Sequence, residues 1–156
     1  MSRFIFMLLS FFLAGCQSNE SVVTLTKPDL ETLTFDVVQK QLVTEPKLPQ
    51  HVQGLLSQWF NEKVKIDGFD GDMTFTILEY LEETSSINDG KRVDLSLSFK
   101  AIINKPSLSQ TQIIEGSVFS FGTLTGNFSL AEFDTIIQNT QSDLILRLSR
   151  DLKSKI

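Results

Sequence analysis

The chain has 156 residues, with 14 basic and 19 acidic side chains and a formal net charge of −5. A length of this order is typical of one domain. The acidic balance argues against a nucleic-acid partner, because binding to nucleic acid depends on neutralising phosphates with Lys and Arg.

An apolar run begins after Arg3 and ends in a small-residue segment before a cysteine. A basic residue followed by a short apolar run is typical of a signal peptide. The run has about half the roughly 20 residues that a membrane-spanning helix needs. The segment resembles the lipobox of bacterial lipoprotein precursors, and its residues are Leu13, Ala14, Gly15 and Cys16.

This resemblance implies that residues 1–15 are a cleaved signal peptide and that Cys16 becomes the acylated N-terminus. The covalent lipid on Cys16 is then the only added group that we expect, with no cofactor and no metal. Cys16 is the only cysteine, so it has no disulfide partner within the chain. The alternative is an ordinary secretory signal in which Cys16 has no role.

Removal of the leader leaves 13 basic and 19 acidic residues, a net charge of −6. Such a chain is not expected to dock on anionic lipid through a basic patch, so the acyl chains are its expected contact with the membrane. Residues 16–28 are predicted to be a lipidated N-terminus and flexible tether, which spans roughly 20 Å as a coil. Gln17 is not the Asp that retains such proteins in the inner membrane of enteric bacteria. The resemblance therefore implies a periplasm-facing anchor in the outer membrane.

Residues 29–156 are predicted to form a single globular domain that opens with a strand and a helix. Alternation around Leu33–Val37 predicts a strand from about Leu30 to Val43, with a break near its end. After Pro49, apolar residues recur at helical spacing and form one stripe. The stripe consists of Val52, Leu55, Leu56, Trp59, Phe60 and Val64.

Three strands are predicted next, over residues 73–84, 93–101 and 111–124. Asp89-Gly90 favours a hairpin between the first two. In the middle strand, Val93 to Ala101 alternate apolar and polar residues, which predicts one buried and one wet face. Gly116 and Gly122 are expected to mark β-bulges in the last strand.

The final helix begins at the capping box Ser129-Leu-Ala-Glu132, with Phe128 and Phe133 as a hydrophobic staple. Its apolar stripe continues from Phe133 to Leu152. The predicted order is therefore β-α-β-β-β-α. It indicates an α+β fold, a two-layer sandwich with a four-stranded, mostly antiparallel sheet and two helices on one face.

The polar candidates for chemistry each have a simpler structural interpretation. Asp67, Asp70 and Asp72 on a Gly-containing loop are weak calcium candidates, but the order of an EF-hand is missing, and a tight turn explains them as well. His51 is the only histidine and fits a polar position in the first turn of a helix. Acidic residues at 79, 82 and 83 are interpreted as solvated rather than as a glycosidase pair. We therefore expect no catalytic residue and no enzyme.

The sequence also leaves the position of three phenylalanines undecided. Phe119 and Phe121 share a strand face. They are expected to lie in the core, or, with Phe69, to line an apolar groove between the sheet and the helices that would bind a lipid.

The lipobox, the mature length and the predicted element order resemble a group of small bacterial outer-membrane lipoproteins. This group includes the lipopolysaccharide-assembly lipoprotein and auxiliary lipoproteins of ABC-type lipid exporters. The expected anchor, the small acidic domain and the lack of a catalytic constellation predict a non-enzymatic accessory subunit that binds another envelope protein of a lipid or lipopolysaccharide transport system. The alternative hypothesis is a binding module for a lipid or another apolar small molecule.

Overall fold

A computed structural model describes residues 30–44 and 47–156 of the chain. The predicted signal peptide, the lipobox with Cys16 and the tether therefore lie outside the described residues. Over these described residues the chain forms six strands and two α-helices, with a 3-10 turn at Pro106–Leu108 between the last two strands. Their bounds are β1 Leu33–Phe35, β2 Gln39–Val43, α1 Gln50–Lys63, β3 Val64–Ile66, β4 Asp72–Ile87, β5 Gly90–Lys105, β6 Gln110–Thr125 and α2 Leu130–Lys153.

The predicted α+β architecture is confirmed. The main sheet has four strands in the order β2-β4-β5-β6. β2 pairs with β4 in parallel, and the long strands β4, β5 and β6 pair antiparallel. Both helices pack against one face of this sheet.

The first predicted strand is in fact two strands in two different sheets. β1 pairs in parallel with β3 to form a separate two-stranded sheet, while β2 joins the main sheet. The break lies at residues 36–38, not near the end of the segment as expected. Its cause is tertiary, because the Val38 N–H donates to Gly71 O at 3.1 Å and the Asp67 N–H donates to Phe35 O at 2.9 Å. The loop after β3 thus forms hydrogen bonds with backbone groups that, in a continuous strand, would bond to a neighbouring strand.

Aromatic rings fill the core between α1 and the sheet. Trp59 and Phe75 are fully buried and meet edge to face, with ring centroids 5.5 Å apart. Phe75 stacks on Phe99 of β5 at 5.3 Å. The predicted α1 stripe is confirmed for its five helical residues, which are all buried, whereas Val64 is buried as the first residue of β3. Lys40 satisfies backbone carbonyl groups at the C-terminal end of this helix, because its ammonium donates to Phe60 O at 2.8 Å and also to Val64 O. Burial first, and the charge of Lys65 second, lower the pKa of Lys40.

α2 begins at the predicted cap. The Glu132 N–H donates to Ser129 Oγ at 3.2 Å, and the Ser129 N–H donates back to the Glu132 carboxylate at 2.7 Å. The flanking staple is present as well, with the rings of Phe128 and Phe133 stacked at 6.2 Å. The capping box and the staple are therefore both confirmed, and both are local features that adjacent residues encode.

The predicted bulges at Gly116 and Gly122 are wrong. β6 keeps an unbroken register against β5, and the register shift in the sheet lies instead at Leu78 of β4. The two glycines serve the approach of α2. A Cβ at Gly122 would lie 2.7 Å from Ile136 Cγ2, and one at Gly116 would lie 2.6 Å from Lys155 Nζ. Glycine is needed there for space rather than for backbone conformation.

Candidate interaction face on the sheet

The strongest candidate site lies on the face of the main sheet that points away from the helices. Side chains alternate across a strand, so residues directly opposite each other on neighbouring strands share a face. Leu81 of β4 lies opposite Ser96 of β5, and Ser96 lies opposite Phe119 of β6. This row places Leu81 and Phe119 on the outer face, on either side of a small hydroxyl.

Phe121 extends the row along β6. Its ring centroid lies 6.1 Å from that of Phe119. Leu81, Phe119 and Phe121 are 47%, 46% and 53% exposed, and we call these three residues the apolar patch. Single exposed apolar residues are ordinary on protein surfaces, whereas neighbouring ones on one sheet face make a candidate interaction site.

A charged pair borders the apolar patch. The Arg92 guanidinium lies 4.4 Å from the centroid of the Phe121 ring and forms a salt bridge of 2.8 Å with Asp94. On the far side, Lys100 Nζ lies 2.7 Å from the Glu115 carboxylate. Apolar groups inside a rim of charged groups resemble the composition of a protein–protein interface.

The expected positions of the three phenylalanines are wrong. Phe119 and Phe121 are neither in the core nor between the sheet and the helices. The even-numbered residues of β6 face α2, and the odd-numbered ones, which include both phenylalanines, face outward. Its helix-facing residues are the buried Ile114, Val118 and Ser120. Phe69 is fully exposed on the loop before β4. The three rings therefore do not line a common groove.

The polar candidates lie apart from the apolar patch. Asp70 accepts a hydrogen bond of 3.0 Å from the Ser107 N–H. Hydrogen bonds from the side chain and then the backbone of Ser107 lower the pKa of Asp70. Asp72 accepts one of 3.3 Å from the Asn104 amide. Within residues 30–44 and 47–156, no three His, Cys, Asp or Glu side chains lie close enough to hold a metal ion. Two of the three aspartates thus hold the loop against the β5–β6 turn.

The remaining acidic candidates occupy different faces of β4. Glu79 and Glu83 lie opposite Ser98 and Asp94, on the outer side. Glu82 points to the other face and accepts a hydrogen bond of 2.6 Å from the Tyr80 hydroxyl. Burial of Tyr80, together with this contact, raises the pKa of its hydroxyl. The register therefore separates Glu82 from the two other glutamates.

A groove of about 730 Å³ was not predicted. It lies beside the C-terminal half of α2 and is lined by Leu30, Leu146, Ser149, Arg150 and Lys153, among others. Lys153 forms an ion pair with Glu31 across it. In the sequence, the groove could have been suspected from Ile145 and Leu146, which are apolar but lie beside the predicted stripe of α2. Both are buried in the structure, as is Ser149. No helix in the described part of the chain has the length and apolar character needed to cross a membrane.

Comparisons with known proteins find similarity at the level of the fold. No protein-family model and no curated protein sequence matches the chain. Among solved structures, a minor lipoprotein from Acinetobacter baumannii superposes with a TM-score of 0.52 at 12% identity, over 76% of this chain and 94% of that one. Rare lipoprotein B from Shewanella oneidensis gives 0.46 at 14% identity, over 76% and 93%. Lipoprotein GNA1162 from Neisseria meningitidis gives 0.32 at 12% identity, over 69% and 94%. The first of these superpositions shows that the chain is similar in fold to a bacterial minor lipoprotein.

Proposed function

We propose that the protein is a lipid-anchored envelope lipoprotein, held by Cys16 in the outer membrane and facing the periplasm. In this role it is a non-enzymatic accessory subunit that binds another envelope protein through the apolar patch. The observation that carries the proposal is the exposure of Leu81, Phe119 and Phe121 together on one sheet face. The lipobox-like segment and the fold similarity to a bacterial lipoprotein support the location.

The shape of this surface favours a protein partner. The outer side of the sheet is open to solvent, whereas pockets for small apolar molecules are concave and enclose most of the ligand surface. Between the layers, the space expected for a lipid is occupied by the chain's own rings, with Phe75 and Phe99 stacked at 5.3 Å. A binding module for a lipid is therefore the second candidate, and the groove beside Leu146 and Arg150 is the place for it.

Site-specific photocrosslinking in intact cells tests the proposal. A photoreactive side chain replaces Leu81 or Phe119 in the full chain, and the attached proteins are identified after irradiation. The matched control carries the same side chain at Phe69, which is also exposed but lies on a loop away from the apolar patch. We expect one envelope protein to be captured from positions 81 and 119 and not from position 69.

The identity of the captured protein decides the process. A component of a lipid or lipopolysaccharide transport system supports the role in transport. Recovery of no envelope protein above background from positions 81 and 119, or equal recovery from position 69, contradicts binding through the apolar patch.

A further inference from the structure

The free edge of the main sheet is unusual for a natural protein. β6 is an outer strand of 16 residues, and within the part of the chain that the structure describes no other strand pairs with its outer side. Natural edge strands are normally blunted by shortness, charges, prolines or bulges, since an open edge invites another strand. β6 has no proline and no register shift against β5. Its only charged residue is Glu115, which is paired with Lys100.

The opposite edge shows the contrast. β2 has five residues and carries Lys40, so it is both short and charged. One edge of the sheet therefore has two of the usual protective features, and the other has none within its own sequence. From α2, Lys155 Nζ donates to Glu115 O of β6 at 2.9 Å. This asymmetry is typical of an edge that pairs with another strand.

The sequence of β6 complements itself when it is reversed. With two antiparallel copies centred on Ser117, the outer face would pair Ile113 with Phe121 and Thr111 with Thr123. Aromatic pairs with β-branched residues and Thr–Thr pairs are among the stabilising cross-strand contacts. Glu115 would lie opposite Phe119 in this register, and opposite Phe121 with a centre one residue later. The later centre would also replace the Ile113–Phe121 pair by Ile113 opposite Thr123. The apolar and polar pattern thus favours the register centred on Ser117.

The same register gives small partners on the helix side. Gly116 would lie opposite Val118, and Ser120 would lie opposite Ile114. Each larger side chain thus meets a glycine or a serine. This pattern avoids steric overlap beneath α2, which packs on this side of β6.

Charges on α2 also fit a reversed second copy. Asp143, Arg147, Asp151 and Lys155 form a row of alternating sign that contains two i,i+4 ion pairs, Asp143 with Arg147 and Asp151 with Lys155. Asp143 contacts Ser120, and Asp151 and Lys155 border Gly116, so the middle of the row lies above the middle of β6. Reversing a row of alternating sign places Arg147 beside Asp151 of the other copy and Asp143 beside its Lys155.

We infer that the protein is a symmetric dimer in which a second copy adds to β6 in antiparallel orientation, centred on Ser117. The two four-stranded sheets then form one continuous eight-stranded sheet. Both apolar patches lie on the same outer face of that sheet and become neighbours through Ile113 and Phe121. This inference does not depend on the proposed function, because it requires no other protein.

The mass of the full chain in detergent solution tests the dimer. Sedimentation at several concentrations should give two protein copies per particle. Ile113→Lys should weaken the dimer by more than about tenfold, since an ammonium group would meet the Phe121 ring and the Arg92 charge of the other copy. Ile113 is 56% exposed, so circular dichroism should show an unchanged fold. Leu81→Lys is the matched control, because Leu81 lies on the same sheet face away from the β6 edge, and it should remain dimeric.

Oxidative crosslinking in intact cells tests the register. A cysteine at Ser117 should meet its own copy and give a disulfide-linked dimer, whereas Ser85→Cys on exposed β4 should not. Wild type measures any background from Cys16. A wild-type chain that stays monomeric at all concentrations overturns the inference. So does dissociation by Leu81→Lys with none by Ile113→Lys, or equal crosslinking from positions 85 and 117.

Discussion

The side-chain amide nitrogen of Gln141 lies 2.8 Å from Nε2 of His51. These residues are 90 positions apart, in α2 and in the first turn of α1. Gln141 is only 2% exposed, and its side chain also hydrogen-bonds with Tyr80 of β4. The only histidine of the chain therefore joins the two helices, which gives a structural reason for its position.

A double-mutant cycle should detect this contact. His51→Ala and Gln141→Ala together should cost less than the sum of the two single changes, with a coupling free energy of about 0.5–1.5 kcal/mol. Urea unfolding of the four proteins gives the values. The control cycle pairs His51→Ala with Asn139→Ala, an exposed neighbour on α2, and should be additive. Equal coupling in both cycles contradicts a direct bond.

Stability at acidic pH should depend on Glu132. Hydrogen bonds from the backbone and then the side chain of Ser129 lower the pKa of Glu132 below its ordinary value of 4.5. The folded state therefore binds this proton more weakly than the unfolded state, so the charged carboxylate stabilises the fold above about pH 4.5. This contribution is lost as the pH falls through the folded-state pKa.

Glu132→Gln keeps the capping geometry and removes the charge. The urea midpoint of this variant should lie below that of wild type at neutral pH, and the difference should shrink as the pH falls from about 6 to about 3. Parallel curves over this range would show that the Glu132 charge does not contribute.

Trp59 should be far more important for stability than the helix cap. Trp59→Ala should cost about 3–5 kcal/mol, because it leaves a cavity beside Phe75 and Phe60. Ser129→Ala should cost about 1 kcal/mol through loss of the capping oxygen. Urea unfolding ranks the two, and the opposite order would contradict the buried position of Trp59.

The indole nitrogen of Trp59 adds a finer test of the same site. Within the described residues it is the only buried side-chain polar atom without a hydrogen-bond partner. Trp59→Phe keeps an aromatic ring and removes this unsatisfied group, which alone costs about 1–3 kcal/mol when buried. Its destabilisation should therefore be well below that of Trp59→Ala, measured in the same urea series.

Two glycines should respond to alanine with opposite signs. Gly122→Ala should destabilise by about 1–3 kcal/mol, because the new methyl group would overlap Thr140 and Ile136. Gly54→Ala should stabilise by about 0.5–1 kcal/mol, because this glycine is inside α1 and nothing lies within 4 Å of an added Cβ. Thermal or urea unfolding compares the two, and a neutral Gly122→Ala would contradict the close approach of α2 to β6.

Membrane attachment should depend on Cys16 alone. Metabolic labelling with a fatty acid should mark the wild type and not Cys16→Ser. Because an uncleaved leader can itself hold the precursor at the membrane, a second chain places residues 17–156 behind an ordinary secretory signal. That chain should appear as a folded protein in the soluble periplasmic fraction. If it still sediments with membranes after a high-salt wash, the described domain has a membrane-binding surface of its own, which would favour the lipid-binding alternative.

Local sequence was sufficient to predict the elements whose residue pattern is compatible with only one structure. The α1 stripe around Trp59 repeats at helical spacing, so this face of the helix is the one that is buried, whatever element it packs against. The capping box at Ser129 and Glu132 needs only neighbouring residues. In β5, apolar residues have one parity and polar residues the other, so a single face can be buried. The element order, and with it the α+β class, followed from these local signals.

Only the tertiary structure decided which face of β6 is buried. Both parities of this strand contain large apolar residues, Ile114 and Val118 on one and Phe119 and Phe121 on the other. A shift of one residue exchanges the two faces, so alternation alone cannot choose between them. The choice was made by the small residues Gly116 and Gly122, which admit α2 at close range. Because α2 packs on the face that carries these glycines, Phe119 and Phe121 lie on the outer face. The candidate interaction surface therefore depends on where α2 packs.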